Sequence, residues 1–102
     1  MSYQVVPVGT LILSQSGSNE RVEVQSSEIV EGAWETISDP AYKGDGQQSV
    51  ISFSANTDFG NVEWAVAITT DESGMVVDSF DCIVMPPTVN IVQGISFDVV
   101  QA

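Results

Sequence analysis

Residues 48–70 read Gln48-Ser-Val-Ile-Ser-Phe-Ser-Ala-Asn-Thr-Asp-Phe-Gly-Asn-Val-Glu-Trp-Ala-Val-Ala-Ile-Thr-Thr70. Ile51, Phe53 and Ala55 fall on one parity, with Ser52 and Ser54 on the other. Val62, Trp64, Val66 and Ile68 again share a parity. Side chains alternate across a strand, so a period of two buries one set and wets the other. The polar run Asn56-Thr-Asp-Phe-Gly-Asn61 is rich in turn formers. The stretch therefore predicts a β-hairpin. Its second strand carries Ala65 and Ala67 on the face opposite Trp64. Apolar residues on both faces suit a central strand, and small ones allow close packing.

Outward from this hairpin the same period recurs. Residues 3–14 form an extended start interrupted by Pro7 and Gly9, which marks an edge strand or a bulge. After the turn Gln15-Ser-Gly-Ser-Asn19, Val22 and Val24 alternate with Arg21, Glu23 and Gln25, predicting a hairpin with the first strand. Residues 26–47 are the least regular part, and 38–46 read as a long loop. Thr70-Asp-Glu-Ser-Gly74 is a turn. Val76, Phe80, Cys82 and Val84 then share a face with Asp78, and Pro86-Pro87 stops that strand. Residues 88–100 form the last strand, with Val89, Ile91, Ile95, Phe97 and Val99 inward, a bulge at Gly94, and Gln93 buried if the phase holds. About six to eight short antiparallel strands result, with no 3.6-residue period anywhere, and a β-sandwich is their natural packing. At 102 residues the chain forms one domain, 1–102, long enough for a core of its own.

Charge narrows the function. The chain has 14 Asp and Glu against 2 basic residues, Arg21 and Lys43, giving a net charge of −12 with no His. Gripping a phosphate backbone takes several Lys or Arg, so no direct nucleic-acid binding is expected. Attraction to anionic lipids is excluded on the same ground. Without His, neither a Ser–His nor a Cys–His arrangement can be built within one chain, and a Cys/His zinc site lacks its ligands. No enzyme and no cofactor are expected. Cys82, the single cysteine, reads as a small buried core residue. Calcium is the one metal the oxygen ligands suit, with Asp39 and Asp45 or Asn56, Asp58 and Asn61 as donors; ordinary Asx turns account for both groups, and no metal site is assigned. No apolar run reaches membrane-spanning length and no basic-then-apolar leader opens the chain, so the expected location is the cytoplasm, or release without a signal peptide.

The aromatic residues are the better lead. Trp64 belongs to the core. Trp34 stands at the edge of the irregular region, Tyr42 in the long loop and Phe59 at the tip of the central turn. Amphipathic rings at loops serve neutral-lipid binding and protein hot spots alike.

Ile29-Val-Glu-Gly-Ala-Trp34, then Pro40, Ile51-Ser-Phe53, Gly60 and the strand Val62–Ile68 are similar to the middle of the aegerolysin family, as is the later order Phe80-Asp81, Pro86, Asn90, over about residues 25–90. The family's Gly-Thr-Glu-Gly-like turn is replaced here by Phe59-Gly-Asn-Val62. The resemblance implies a small acidic β-sandwich without a signal peptide that binds sphingolipid-rich membranes, in several members together with a larger pore-forming partner. It would turn Trp34 and the 38–46 loop toward lipid.

The leading expectation is thus a non-enzymatic binding module of aegerolysin type, touching neutral lipid through Trp34, Tyr42 and Phe59. The alternative is a structural or assembly protein, homo-oligomeric or bound to a protein partner, using the Ala65/Ala67 face and the nearly uncharged 3–14 and 82–97 segments. A third reading, an acidic mimic of nucleic acid, rests on the local density Glu20, Glu23, Glu28, Glu31 and Glu35.

Overall fold

The computed structural model describes residues 3–37, 47–71, 73 and 75–101. Within them lie nine strands: β1 Tyr3–Val8, β2 Thr10–Gln15, β3 Arg21–Gln25, β4 Val30–Ile37, β5 Gln47–Thr57, β6 Gly60–Thr70, β7 Val76–Val84, β8 Val89–Gln93 and β9 Ser96–Gln101. A single 3₁₀ turn, Ser26–Glu28, links β3 to β4, its Glu28 carboxylate accepting from the Gln25 N–H at 2.8 Å. The fold is all-β and antiparallel, as the alternation predicts. The strand count exceeds the expected six to eight because both end segments are split and the irregular 26–47 segment adds β4. The chain breaks at Gly9 between β1 and β2, and again at Gly94 between β8 and β9. The two breaks lie side by side, with Ile95 Cγ2 next to Gly9. Both segments change sheets there: β1 pairs β9, while β2 pairs β8 and β3. Gly94 is therefore a corner rather than a bulge. Gln93 turns outward, contrary to the expected burial, and reaches the Thr10 carbonyl at 2.8 Å, while Ile91, opposite buried Leu13, keeps the inward side but stays 41% exposed on the margin strand β8.

The second layer is one sheet in the order β4-β5-β6-β7. Its β5–β6 pairing is the predicted hairpin, unbroken from Gln47↔Thr70 to Thr57↔Gly60. The inner face of this sheet carries Ile51, Phe53, Ala55, Val62, Trp64 and Val66. These residues form one buried cluster with Val5, Leu11, Leu13, Val24 and Val89 of the opposing layer. Phe97 of β9 ties the layers together, its ring centroid 4.9 Å from Phe53 and 5.9 Å, edge-on, from Trp64. Such tilted aromatic contacts add to the area they bury. The molecule measures 49 × 29 × 19 Å. The shortest dimension fits two sheets packed about 10 Å apart with their side chains, and leaves no third layer.

Two local features shape the four-stranded sheet. β4 arises in a segment whose sequence reads as irregular, because its register shifts between Glu31 and Trp34. An extra residue in one strand reverses the alternation, so Val30 and Trp34 fall on opposite faces. The β6–β7 turn is closed by Asp71. Its Oδ1 accepts from the Ser73 N–H at 3.0 Å, the Ser73 hydroxyl at 2.7 Å and the Met75 N–H at 2.9 Å, while the Asp71 N–H donates to the Met75 carbonyl at 2.8 Å. Asp71→Ala is expected to lower stability by about 1–2 kcal/mol, the scale of charge-assisted hydrogen bonds at a half-buried turn. Urea denaturation reads the loss, and a change below about 0.3 kcal/mol would show the turn closes without it.

Candidate functional site

Register fixes which side chains share the outer face of the four-stranded sheet, since directly opposed residues point the same way. One row runs Val30, Ser54, Glu63, Val84. The next holds Ser52, Ala65 and Cys82, and a third Glu35, Val50, Ala67 and Phe80. Gly32, inside the β4 bulge, completes the second row. A Cβ there would stand 3.0 Å from the Ser52 carbonyl oxygen, so the strand lies too close for a side chain. The small residues leave a shallow groove of about 270 Å³ lined by Val30, Gly32, Ser52, Ala65, Cys82 and Val84 among others. A second depression of about 280 Å³ follows along Ala67, Thr69, Asp78 and Phe80.

Among the described residues no layer covers this face, and Phe80, Cys82 and Val84 with Ala65 and Ala67 make its β6–β7 part apolar. Val30, Phe80 and Val84 are 63%, 64% and 63% exposed, with Ala65 and Ala67 half-buried between the flanking strands. Scattered single apolar residues on a surface need no explanation, but a contiguous apolar stretch on one sheet face does. Carboxylates frame it: Glu35, Glu63 and Asp78 point to the same side. Arg21, the single basic side chain among the described residues, lies on β3 in the other layer.

The expected buried position of Cys82 is corrected by this geometry. Its thiol is exposed. Both parities of β7 carry apolar residues, so alternation alone did not say which faces the core. Pairing with β6 decides it: Ile83 lies opposite Trp64 on the inner face, and Cys82 lies opposite Ala65 on the outer one. Charge gave no signal for this outcome, because Asp78 shares the outer parity and Asp81 the inner one.

The three aromatic residues singled out by sequence do not converge. Trp34 lies opposite Ile51 on the inner side of the sheet, at its β4 margin, where it stays 39% exposed. Phe59 sits in the β5–β6 turn but packs half-buried against the core, rather than projecting as its turn position suggests. The run of β5 from Ile51 to Thr57 sets the two roughly 20 Å apart. Tyr42, like Asp39, Lys43 and Asp45, lies outside the described residues. Of the second oxygen cluster, Asn61 donates to Glu63 Oε1 at 3.1 Å. Among the described residues no three His, Cys, Asp or Glu side chains gather as a metal site, and no helix is long and apolar enough to cross a membrane.

Compared with protein-family models, curated proteins and solved structures, the chain matches none.

Proposed function

We propose that the chain is a non-enzymatic assembly module that associates with further copies of itself through the outer face and margin of the four-stranded sheet. One observation carries this reading: three large apolar side chains, Val30, Phe80 and Val84, stand nearly two-thirds exposed around a floor of Gly32, Ser52, Ala65, Cys82 and Ala67 on a face that, among the described residues, no layer covers. Burying such a face on association gains roughly 25 cal/mol per Å² of apolar surface before the costs of association. The assembly is expected to bear on structure or scaffolding rather than on chemical turnover, since the face brings hydroxyls, carboxylates and one thiol but no proton carrier suited to neutral pH.

Sedimentation equilibrium across micromolar to millimolar concentrations tests this. The mass is expected to rise above the 10.9 kDa of one chain. Phe80→Ser/Val84→Ser should return it to one chain with an unchanged circular-dichroism spectrum, because both side chains already face water in the single copy. A single-chain mass throughout would overturn the reading.

The second reading is the membrane module that the aegerolysin resemblance implies. The partly exposed Trp34 ring supports it; the separation of Trp34 from Phe59 does not. It expects co-sedimentation with neutral vesicles only when sphingolipid is present, together with a blue shift in tryptophan emission lost in Trp34→Ala. Absence of that lipid-dependent shift removes it.

A further inference from the structure

The two end segments form a ribbon with its own hydrogen bonding. β1 pairs β9 without a shift from Tyr3↔Gln101 to Val8↔Ser96, and among the described residues neither strand pairs with any other. The three-stranded sheet begins beyond the corner, with Thr10↔Gln25 on one side of β2 and Ile12↔Gln93 on the other. Between the two ladders lie Gly9 and Gly94-Ile95, the two places where the chain passes from ribbon to body. Hinges are a few residues at element ends that absorb a change in φ and ψ, and small residues suit them. Gly9 already holds a φ of +104°. The body also closes its own end. The Thr10 carbonyl accepts from the Gln93 side-chain amide of β8 at 2.8 Å, so it needs no donor from the ribbon. No ladder has to break for the ribbon to leave the body.

What holds the ribbon down is one face of side chains. Val5 is 2% exposed within the buried cluster, and Ile95, Phe97 and Val99 pack against that cluster partly buried. Val5↔Val99 and Pro7↔Phe97 share the inward face, and Val6↔Asp98 and Val8↔Ser96 the outward one. The Phe97 ring lies over both Phe53 and Trp64.

From these features we infer that the β1–β9 ribbon is a hinged strap, opening from the body as one unit about Gly9 and Gly94 and baring Phe53 and Trp64 while both sheets stay formed. The apolar interior thereby gains a single entrance, controlled at two glycines. The inference does not draw on the assembly reading, because the ribbon belongs to the layer opposite the outer face of the four-stranded sheet. Proteins open in contiguous cooperative units, and the units that open first are those with the fewest contacts to the rest. Opening the strap forfeits the packing of a few side chains, whereas global unfolding forfeits every ladder and the whole core.

Native-state hydrogen exchange of the full chain, followed amide by amide at rising urea concentration, tests this. The amides laddered between β1 and β9 are expected to share one opening, with a smaller urea slope than those of β5 and β6, because less surface is exposed. Two substitutions then separate the strap from the body. Leu13 is 0% exposed on β2, farther from the corner than Leu11. Leu13→Val weakens the closed and the strap-open molecule alike, so β5 and β6 amides should exchange roughly three- to tenfold faster. Ribbon amides should change less than about twofold in the same variant. Phe97→Leu weakens the closed molecule alone, so ribbon and body amides should both accelerate by one common factor, roughly three- to tenfold. If Leu13→Val accelerates ribbon and body amides equally, the ribbon opens only with the whole molecule and the strap is overturned. Different openings for β1 and β9, or ribbon amides indifferent to Phe97→Leu, would overturn it as well, since the ends would then fray one by one without lifting Phe97 off the core.

Discussion

Trp64→Ala is expected to cost about 3–5 kcal/mol of folding stability, the range for deleting a buried aromatic side chain. Domains of this size have about 5–15 kcal/mol in total, so the variant should show measurable unfolding at ambient temperature. Trp64 sits in the second strand of the central hairpin and is 4% exposed. It lies opposite Phe53 on β5 and Ile83 on β7, and its ring meets Phe97 of the opposing layer edge-on. Removing it opens a cavity at the point where the two layers meet, and the neighbouring strands are held by their ladders and cannot collapse into it. In urea the midpoint should fall while the slope stays constant. Phe97→Ala in the same background should be less costly than alone, with a coupling of about 0.5–1.5 kcal/mol from the lost ring pair. Trp34→Ala provides the contrast. That ring is on the same side of the sheet but at its margin and 39% exposed, so a loss below about 1.5 kcal/mol is expected. If the two tryptophan substitutions cost the same, the core is not centred on the hairpin.

How much of this was legible in the sequence depended on whether one face of a strand was clearly polar. In β5 the serines at 52 and 54 mark the outer face unambiguously, and in β3 Arg21, Glu23 and Gln25 do the same, so both strands and their buried residues could be read directly. β7 has apolar residues on both parities, so its orientation came from its pairing with β6, a long-range fact that no local pattern contains. β4 was hidden by its bulge, which breaks the period over Gly32 and Ala33. Gly9 and Gly94 were visible as interruptions, but that they lie beside each other and move both end segments between sheets is a property of the folded molecule. Of the candidate surface, the Ala65/Ala67 stripe was visible early. Its exposed partners Phe80, Cys82 and Val84 were not, because an apolar strand face is ordinarily a buried one.

The second large effect is expected at Gly60, where two independent constraints meet. Its φ is +117°, a region that residues with a side chain seldom occupy, and a Cβ built there would stand 2.9 Å from Pro86 Cγ. The turn around it is tightly specified: the Phe59 N–H donates to Thr57 Oγ1 at 3.1 Å, and the Thr57 hydroxyl donates to the Gly60 carbonyl at 2.7 Å. A proline ring cannot swing aside as a long flexible side chain can. Gly60→Ala should therefore lose roughly 2–5 kcal/mol, from backbone strain of about 1–3 kcal/mol and overpacking of similar size. Gly17 separates the two contributions, because its φ is also positive, at +81°, but nothing lies within 4 Å of its added Cβ. Gly17→Ala should show the backbone cost alone. Pro86→Ala should return part of the loss in Gly60→Ala and nothing in Gly17→Ala, a double-mutant cycle that isolates the contact. The consequence reaches the candidate surface. Pro86 lies two residues beyond β7, so the Gly60–Pro86 contact pins the exit of the margin strand against the central turn and helps hold the register Glu63↔Val84. If the cycle shows no coupling, the exit of β7 is held by its ladder with β6 instead, and Gly60 is required for its backbone conformation only.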